Sequence, residues 1–194
     1  MRTLRIVLWV AVAAAVMAFG ALYWIQRPQP PSQPTQVSFG GPFTLVDSKG
    51  QPFASSKLAG RPYAIFFGFT HCPDVCPTTL ARLVTLRKQL GAGEDSFRIV
   101  FVSVDPERDG PAEVGRYADL FGAPVIGLTG SEAQIAQVKK AYGIFSEKVG
   151  TGESYTVDHT ASVLLFDRNG EFQSTIAPDE ADAAAIAKLK RLMS

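Results

Sequence analysis

The chain has 194 residues, a net charge of +1, and a hydrophobic fraction of 46%. A chain of this length has room for one globular domain of ordinary size after its apolar N-terminus is set aside. The near-neutral charge and the absence of a basic run argue against nucleic acid as a partner, because such binding needs a face rich in Lys and Arg.

The N-terminal stretch Leu4–Ile25 consists almost entirely of apolar and small residues. As a helix it would be about 33 Å long, which is the thickness of a bilayer core. The stretch predicts a single transmembrane anchor. A cleaved signal peptide is the alternative, because Ala18 and Gly20 form a pair of small residues at the right spacing. We favour the anchor because the apolar residues continue beyond that pair.

Charges flank the predicted anchor unequally. Arg2 and Arg5 lie at its N-terminal end, whereas Arg27 is the only charge between it and Asp47. The positive-inside rule therefore places residues 1–3 in the cytoplasm and the rest of the chain on the outer side. The N-terminus does not resemble an organelle transit peptide, which favours a single pass through a bacterial inner membrane and a domain in the periplasm.

A short segment rich in Pro and Gln, residues 26–36, follows the anchor and predicts a semi-rigid tether. Residues 37–194 then form the predicted folded domain. Its first elements are a hairpin over 43–53 and a buried strand over 61–70. The next are a helix over 77–90, a strand over 97–105, a helix over 111–121, a strand over 125–128, a helix over 131–142, an inserted hairpin over 144–156, strands over 160–166 and 171–176, and a helix over 179–193.

The order of these elements predicts the fold. A β-α-β half is followed by a β-β-α half, and the cysteines come after the first main strand. This order is that of an α/β thioredoxin-like fold, with a central mixed sheet flanked by helices. The inserted hairpin is an addition to it.

The two cysteines of the chain are Cys72 and Cys76, which follow the buried strand at the sheet edge where α/β proteins bind ligands. Pro77 suits the first position of the next helix, so both thiols are expected near the positive end of that helix, with lowered pKa values. A lowered pKa suits metal binding and disulfide exchange alike. A structural disulfide is an alternative, although so short a loop constrains the unfolded chain little.

The role of His159 decides whether the cysteine pair is interpreted as a metal site or as a disulfide-exchange site. It lies at the beginning of the predicted strand that neighbours the cysteine-bearing strand. Thioredoxin-like oxidoreductases have a cis-proline there, and this chain has no proline between Pro124 and Pro178. Two thiolates and an imidazole suit Cu(I), whereas structural zinc normally has a fourth protein ligand. Spacing alone leaves open whether His159 is a ligand or simply a satisfied polar residue.

Three further features lie near these residues. His71 and Asp158 are the nearest candidates for the extra donor that Cu(II) would need, and Asp158 is also a candidate for a supporting carboxylate or a turn residue. The segment Val102–Asp109 ends a strand with a charged turn at the same sheet edge. We interpret it as a turn followed by the start of a helix.

Three segments resemble the motifs of the Sco (SenC-like) family of copper chaperones for cytochrome c oxidase assembly. They are Phe67–Pro77, Val102–Arg108 and Val157–Thr160, in the family's order, and the likeness covers residues 40–193. The resemblance implies that Cys72, Cys76 and His159 bind copper, with Asp158 in support. It also implies delivery of that copper to the dinuclear copper centre of oxidase subunit II or to another membrane-bound acceptor, after receipt from an upstream periplasmic donor.

The sequence leaves other functions open. As a metallochaperone the protein would carry copper and catalyse nothing. As a thiol-disulfide reductase it would use Cys72 and Cys76 as a redox-active pair to keep an acceptor's cysteines reduced, and His159 would be dispensable. The spacing of Thr70 and Cys72 also fits a peroxidase, but the surrounding prolines of that class are missing.

Overall fold

The computed structural model of the protein describes residues 2–25, 39–91, 93 and 96–194. The chain divides into two units, Met1–Ser38 and Phe39–Ser194. In the first unit, helix α1 spans Arg2–Ile25. Within the described ranges, no helix combines the length and the hydropathy needed to cross a membrane. The transmembrane anchor stays a prediction, and the predicted tether over 26–36 lies outside the described residues.

The second unit contains a seven-stranded sheet and a separate two-stranded sheet, counted over the described residues. Its strands are β1 (Thr44–Asp47), β2 (Pro52–Ala54), β3 (Tyr63–Gly68), β4 (Arg98–Ser103), β5 (Ile126–Thr129), β6 (Ser146–Val149), β7 (Thr156–His159), β8 (Val163–Phe166) and β9 (Phe172–Ile176). Its helices are α2 (Val75–Gln89), α3 (Pro111–Asp119), α4 (Glu132–Ala141) and α5 (Asp182–Met193).

The large sheet has the strand order β2-β1-β5-β4-β3-β8-β9. Strands β3, β4 and β5 are parallel, whereas β8 is antiparallel to β3 and β9 is antiparallel to β8. The β3-α2-β4 half and the β8-β9-α5 half follow in that order along the chain. The predicted α/β class, the mixed sheet and the inserted hairpin, formed by β6 and β7, are therefore confirmed.

Strand β3 is the central element of the fold. All six of its residues are buried, because β4 and β8 flank it and both of its faces lie in the core. The sequence of such a strand is a continuous run of apolar residues. The strand ends at Gly68 and is followed by the loop that contains Cys72 and then by α2.

Two predicted boundaries are wrong, and both affect the site. Helix α2 begins at Val75, so Pro77 is its third residue and Cys76 is already helical. A proline is tolerated there because the first N–H groups of a helix have no intrahelical partner. Strand β8 begins at Val163, so His159 ends β7 and does not begin β8.

Candidate metal site

The cysteines lie on either side of the start of α2. Cys72 is half-buried in the loop after β3, and its N–H donates to the carbonyl of Phe69 at 3.2 Å. Cys76, in the first turn of α2, is fully buried, and its N–H donates to Cys72 Sγ at 3.4 Å. The loop thus presents one accessible sulfur and one enclosed sulfur.

Gly68 makes room for the enclosed sulfur. A Cβ atom at position 68 would lie 2.7 Å from Cys76 Sγ, closer than any side chain tolerates. The same Cβ would approach the rings of Phe66 and Phe101 at 3.0 and 3.2 Å. Strand β3 therefore ends in a glycine because the sulfur of Cys76 packs directly against its backbone.

His159 enters the site from the hairpin, at the end of β7, where it pairs with Ser146. Its Nε2 lies 3.4 Å from Cys76 Sγ, and its Nδ1 lies 3.0 Å from the carbonyl oxygen of Thr160. A carbonyl only accepts hydrogen bonds, so Nδ1 carries a proton, and in the neutral imidazole the lone pair is then on Nε2, which faces the sulfur. This arrangement orients the imidazole as a ligand.

Aromatic rings enclose the imidazole. The rings of Phe66 and Phe69 both make edge contacts with His159, with centroid distances of 5.9 Å. These rings restrict the orientation of the imidazole and keep water from it on those sides. The histidine is therefore held by packing as well as by its hydrogen bond.

The three predicted ligands come together. The sulfurs of Cys72 and Cys76 and a ring nitrogen of His159 all lie within 4.8 Å of one another. Over the part of the chain that the structure describes, this is the one group of three or more Cys, His, Asp or Glu side chains close enough to share an ion. Two sulfurs and one imidazole nitrogen form a soft donor set, which suits Cu(I).

The prediction of two lowered thiol pKa values is wrong for Cys76. Burial raises the pKa of the Cys76 thiol strongly, and the contact with Cys72 raises it further. The positive end of α2 does not compensate because the sulfur is removed from water. Without a metal, this thiol is protonated at neutral pH, so metal binding must release its proton.

The sequence predicts Asp158 and His71 as supporting residues of the site. Asp158 is exposed, and as the neighbour of His159 in a strand it points to the opposite face of the hairpin. His71 has a side chain that is 54% exposed, and its Nδ1 lies 3.1 Å from Thr70 Oγ1 and 3.5 Å from Asp109 Oδ1. The structure brings neither side chain into the three-ligand group.

Sequence reasoning missed Asp109 as a residue of the site. Its side chain is fully buried and accepts three hydrogen bonds, from Thr70 N (2.8 Å), Thr70 Oγ1 (2.6 Å) and Ser103 Oγ (2.6 Å). Because Thr70 begins the loop that carries Cys72, Asp109 anchors that loop. The available signal was a carboxylate in the charged turn after β4, at the sheet edge that also carries the cysteines.

The chain is similar to known proteins over most of its length. The sequence profile of the family SCO1/SenC matches residues 31–194. The SCO2-like protein RP587 of Rickettsia prowazekii is 33% identical over 175 residues, which cover 84% of this chain and 85% of that protein.

Solved structures of two relatives are similar to this chain in fold and in sequence. ScoI of Bradyrhizobium japonicum, solved with copper bound, has a TM-score of 0.72 at 42% identity and covers 79% of this chain and 99% of that chain. BsSco, described as a member of the Sco family of cytochrome c oxidase assembly proteins with a disulfide switch, has a TM-score of 0.64 at 25% identity, covering 86% of this chain and 99% of that chain. From its profile match and its identity to these relatives, this chain belongs to the SCO1/SenC family.

Proposed function

We propose that the protein is a copper metallochaperone of cytochrome c oxidase assembly. It binds one copper ion as cargo through Cys72, Cys76 and His159 and passes it to the dinuclear copper centre of oxidase subunit II. The observation on which the proposal rests is the imidazole of His159, whose Nε2 lies 3.4 Å from Cys76 Sγ while its Nδ1 faces the Thr160 carbonyl. A pair of cysteines that only exchanged disulfides would not need this nitrogen.

Copper fits the donor set better than zinc. Soft thiolates with one imidazole and no fourth side chain favour Cu(I), whereas structural zinc sites are closed by four ligands. The copper-bound ScoI of Bradyrhizobium japonicum supports the same choice. Oxidation to Cu(II) would want a further N or O donor. His71, next to Cys72 in the chain, is the better candidate, because Asp158 is exposed on the opposite face of the hairpin from His159.

Unequal exposure of the two cysteines suits a carrier. Cys72 is partly accessible, whereas Cys76 is enclosed. An acceptor ligand can replace the Cys72 sulfur first, while Cys76 and His159 still hold the ion. Copper then moves by stepwise ligand exchange and is never released into solution. An upstream periplasmic donor would load the site by the same route in reverse.

The proposal includes a location at a bacterial inner membrane, with the domain in the periplasm. Support comes from the apolar stretch Leu4–Ile25 and from Arg2 and Arg5 at its N-terminal end. A reporter enzyme fused after residue 36 tests this orientation. Activity of a periplasmic reporter is the expected result, and activity of a cytoplasmic reporter would overturn it.

A copper titration tests the ligand set. The reduced full chain is titrated with Cu(I) against a competing chelator under exclusion of oxygen, as wild type, His159→Ala and His71→Ala. The chain has two histidines, so His71→Ala is a matched control that removes the other imidazole. We expect His159→Ala to bind copper at least about 10-fold more weakly and His71→Ala to bind within about 2-fold of wild type. Equal affinity in all three proteins would remove His159 from the site.

A second function, thiol-disulfide reduction, is favoured by the accessible sulfur of Cys72 beside a second thiol and by the disulfide switch named for BsSco. The Cys72 thiolate would attack an acceptor disulfide and release one acceptor thiolate. Cys76 would then attack the Cys72 sulfur, release the second acceptor thiolate and leave a Cys72–Cys76 disulfide, so two electrons pass to the acceptor.

The two functions respond differently to substitution. If the protein acts as a reductase, Cys72→Ser abolishes reduction of an acceptor disulfide and His159→Ala spares it. If it acts only as a copper carrier, neither variant changes the acceptor's thiol content, and both lose copper delivery. The acceptor's free thiols, counted before copper is added, separate these outcomes.

A further inference from the structure

The turn that follows β4, Asp105–Asp109 and here called the β4 turn, contacts the hairpin that carries His159. Arg108 Nε donates to Asp105 Oδ2 at 2.6 Å, and Arg108 Nη1 donates to the carbonyl of Tyr155 at 2.9 Å. The guanidinium carbon lies 3.6 Å from the centroid of the Tyr155 ring. Tyr155 directly precedes β7, so Arg108 holds the hairpin at the strand that ends in His159.

Other contacts strengthen the same attachment. Tyr155 Oη donates to Asp105 Oδ1 at 2.7 Å, so one buried carboxylate receives both Arg108 and Tyr155. Lys148 of β6 donates to Glu107 at 2.7 Å and lies 3.8 Å from the centroid of the Tyr155 ring. Arg108 thus combines one charge-assisted hydrogen bond to Asp105, one hydrogen bond to the Tyr155 carbonyl and a stacking contact with the Tyr155 ring, which together hold its guanidinium more firmly than a single surface ion pair would.

The hairpin depends on these side chains for its position. Strands β6 and β7 pair with each other and form a sheet of their own, with no ladder to the seven-stranded sheet. Besides the contacts of Tyr155 and Lys148, the hairpin has two longer polar contacts with the rest of the domain: Lys139 Nζ of α4 donates to the Ser146 carbonyl at 3.4 Å, and His159 Nε2 lies 3.4 Å from Cys76 Sγ. Val157 of β7 is also buried in the core. The contacts to the β4 turn, at 2.7–2.9 Å, are shorter than these two polar contacts.

Arg108 also reaches the site through one aromatic ring. Its guanidinium carbon lies 5.8 Å from the centroid of Phe69, and that ring makes an edge contact with His159. Asp109, the next residue of the β4 turn, holds Thr70 and the cysteine loop. One turn of five residues thus holds both the part of the chain that carries the thiols and the part that carries the imidazole.

We infer that Arg108 is a positioning residue that fixes His159 relative to the two cysteines, and so sets how tightly the site holds copper. The inference rests on the proposed function. A ligand held by a hairpin is useful only when its nitrogen stays within a fraction of an ångström of its bonding position. Loss of Arg108 leaves the buried Asp105 carboxylate without its cation, and the Tyr155 carbonyl and ring lose their contact with the guanidinium, so that Tyr155 keeps only the hydrogen bonds of its hydroxyl to the β4 turn.

A double-mutant cycle tests the inference. Cu(I) affinity is measured by chelator competition on the reduced full chain as wild type, Arg108→Ala, His159→Ala and the double variant. We expect Arg108→Ala to weaken binding by about 10-fold. In the His159→Ala background the same substitution should have almost no effect, because the residue through which it acts is missing. Arg116→Ala, which removes an exposed arginine paired with Glu113, is the control and should bind as wild type.

A milder variant covers the case in which Arg108→Ala does not fold. Tyr155→Phe removes the hydrogen bond to Asp105 and keeps the ring under the guanidinium, so a smaller loss of affinity is expected, which again disappears in the His159→Ala background. Arg108→Lys keeps the charge but not the planar guanidinium that reaches both Asp105 and the Tyr155 carbonyl, and should retain only part of the affinity. Imidazole NMR signals give a metal-free readout: those of His159 should broaden or shift in Arg108→Lys and Tyr155→Phe, while those of His71 stay unchanged.

The outcomes separate this inference from the proposed function. Equal and additive losses from Arg108→Ala in both backgrounds would overturn the positioning role while leaving His159 as a ligand. Wild-type copper affinity in Arg108→Ala would also overturn the positioning role while leaving His159 as a ligand. Wild-type affinity in His159→Ala would overturn the proposed ligand set and, with it, this inference.

Discussion

Gly68 shows how one residue without a side chain decides where a metal ligand can lie. The sulfur of Cys76 occupies the volume that a Cβ atom at position 68 would need. The backbone of Gly68 does not require glycine for conformational reasons, because its φ angle is not positive. Space for the sulfur is thus the reason for glycine at this position.

We therefore predict that Gly68→Ala weakens Cu(I) binding more than it weakens the fold. The new methyl group must push Cys76 Sγ away, and overpacking of this kind costs about 1–3 kcal/mol. Chelator competition and urea unfolding of the same protein measure the two effects. Gly115→Ala is the matched control, because its Cβ would meet Ser48 Cβ at 2.8 Å, a comparable clash in α3. Loss of affinity in both variants would show that the effect is a general loss of packing.

At the scale of elements, the parts of the fold with local signals could be predicted and the parts that depend on distant contacts could not. The apolar run of β3 and the cysteines after it are adjacent in sequence, so the sheet edge and the thiols were predicted correctly. The role of Asp109 was missed because its partner Thr70 is 39 residues away. The raised pKa of Cys76 was missed because it arises from burial, which spacing does not reveal.

The ion pair between Glu180 and Lys188 connects helix α5 to the end of β9, and its contribution to stability depends on pH. Glu180 Oε2 accepts from Lys188 Nζ at 2.7 Å and from the N–H of Ala177 at 3.2 Å, and Lys188 also donates to the carbonyl of Thr175 in β9. The hydrogen bond from Lys188 holds the pKa of the Glu180 carboxyl below its ordinary value of 4.5. The carboxylate thus ties α5 to the end of β9.

We predict that Glu180→Gln lowers the free energy of unfolding at pH 7 and has little effect at pH 3. A lowered pKa in the folded state contributes stability above the ordinary value, and that contribution is lost as the pH falls through the folded-state pKa. The pair is partly exposed to water, so we expect a loss of at most about 1 kcal/mol at pH 7. Urea unfolding at both pH values measures it, with the exposed Glu171→Gln as control. An equal loss at the two pH values would contradict the electrostatic explanation.

At the scale of the whole domain, the three ligands belong to two parts of the fold that share no strand pairing. The cysteines follow β3 of the seven-stranded sheet, whereas His159 ends a strand of the two-stranded sheet. An ion bound to all three side chains would cross-link these parts. Binding of copper should consequently stabilise the hairpin against local opening, in addition to stabilising the fold as a whole.

We predict that one equivalent of Cu(I) slows amide hydrogen exchange in β6 and β7 of the reduced protein. The metal adds a bond that must break before the hairpin can open, so exchange there should slow by at least about 10-fold if the bond to His159 is worth 1.4 kcal/mol or more. Exchange followed by mass spectrometry, with and without copper, measures this effect. Peptides from β9 and α5 serve as the internal reference, since no ligand lies in them. In His159→Ala, copper held by the cysteines alone should leave hairpin exchange unchanged. Slower hairpin exchange in that variant would mean that the ion reaches the hairpin through another residue or that copper stabilises the domain uniformly, and the reference peptides distinguish these two cases.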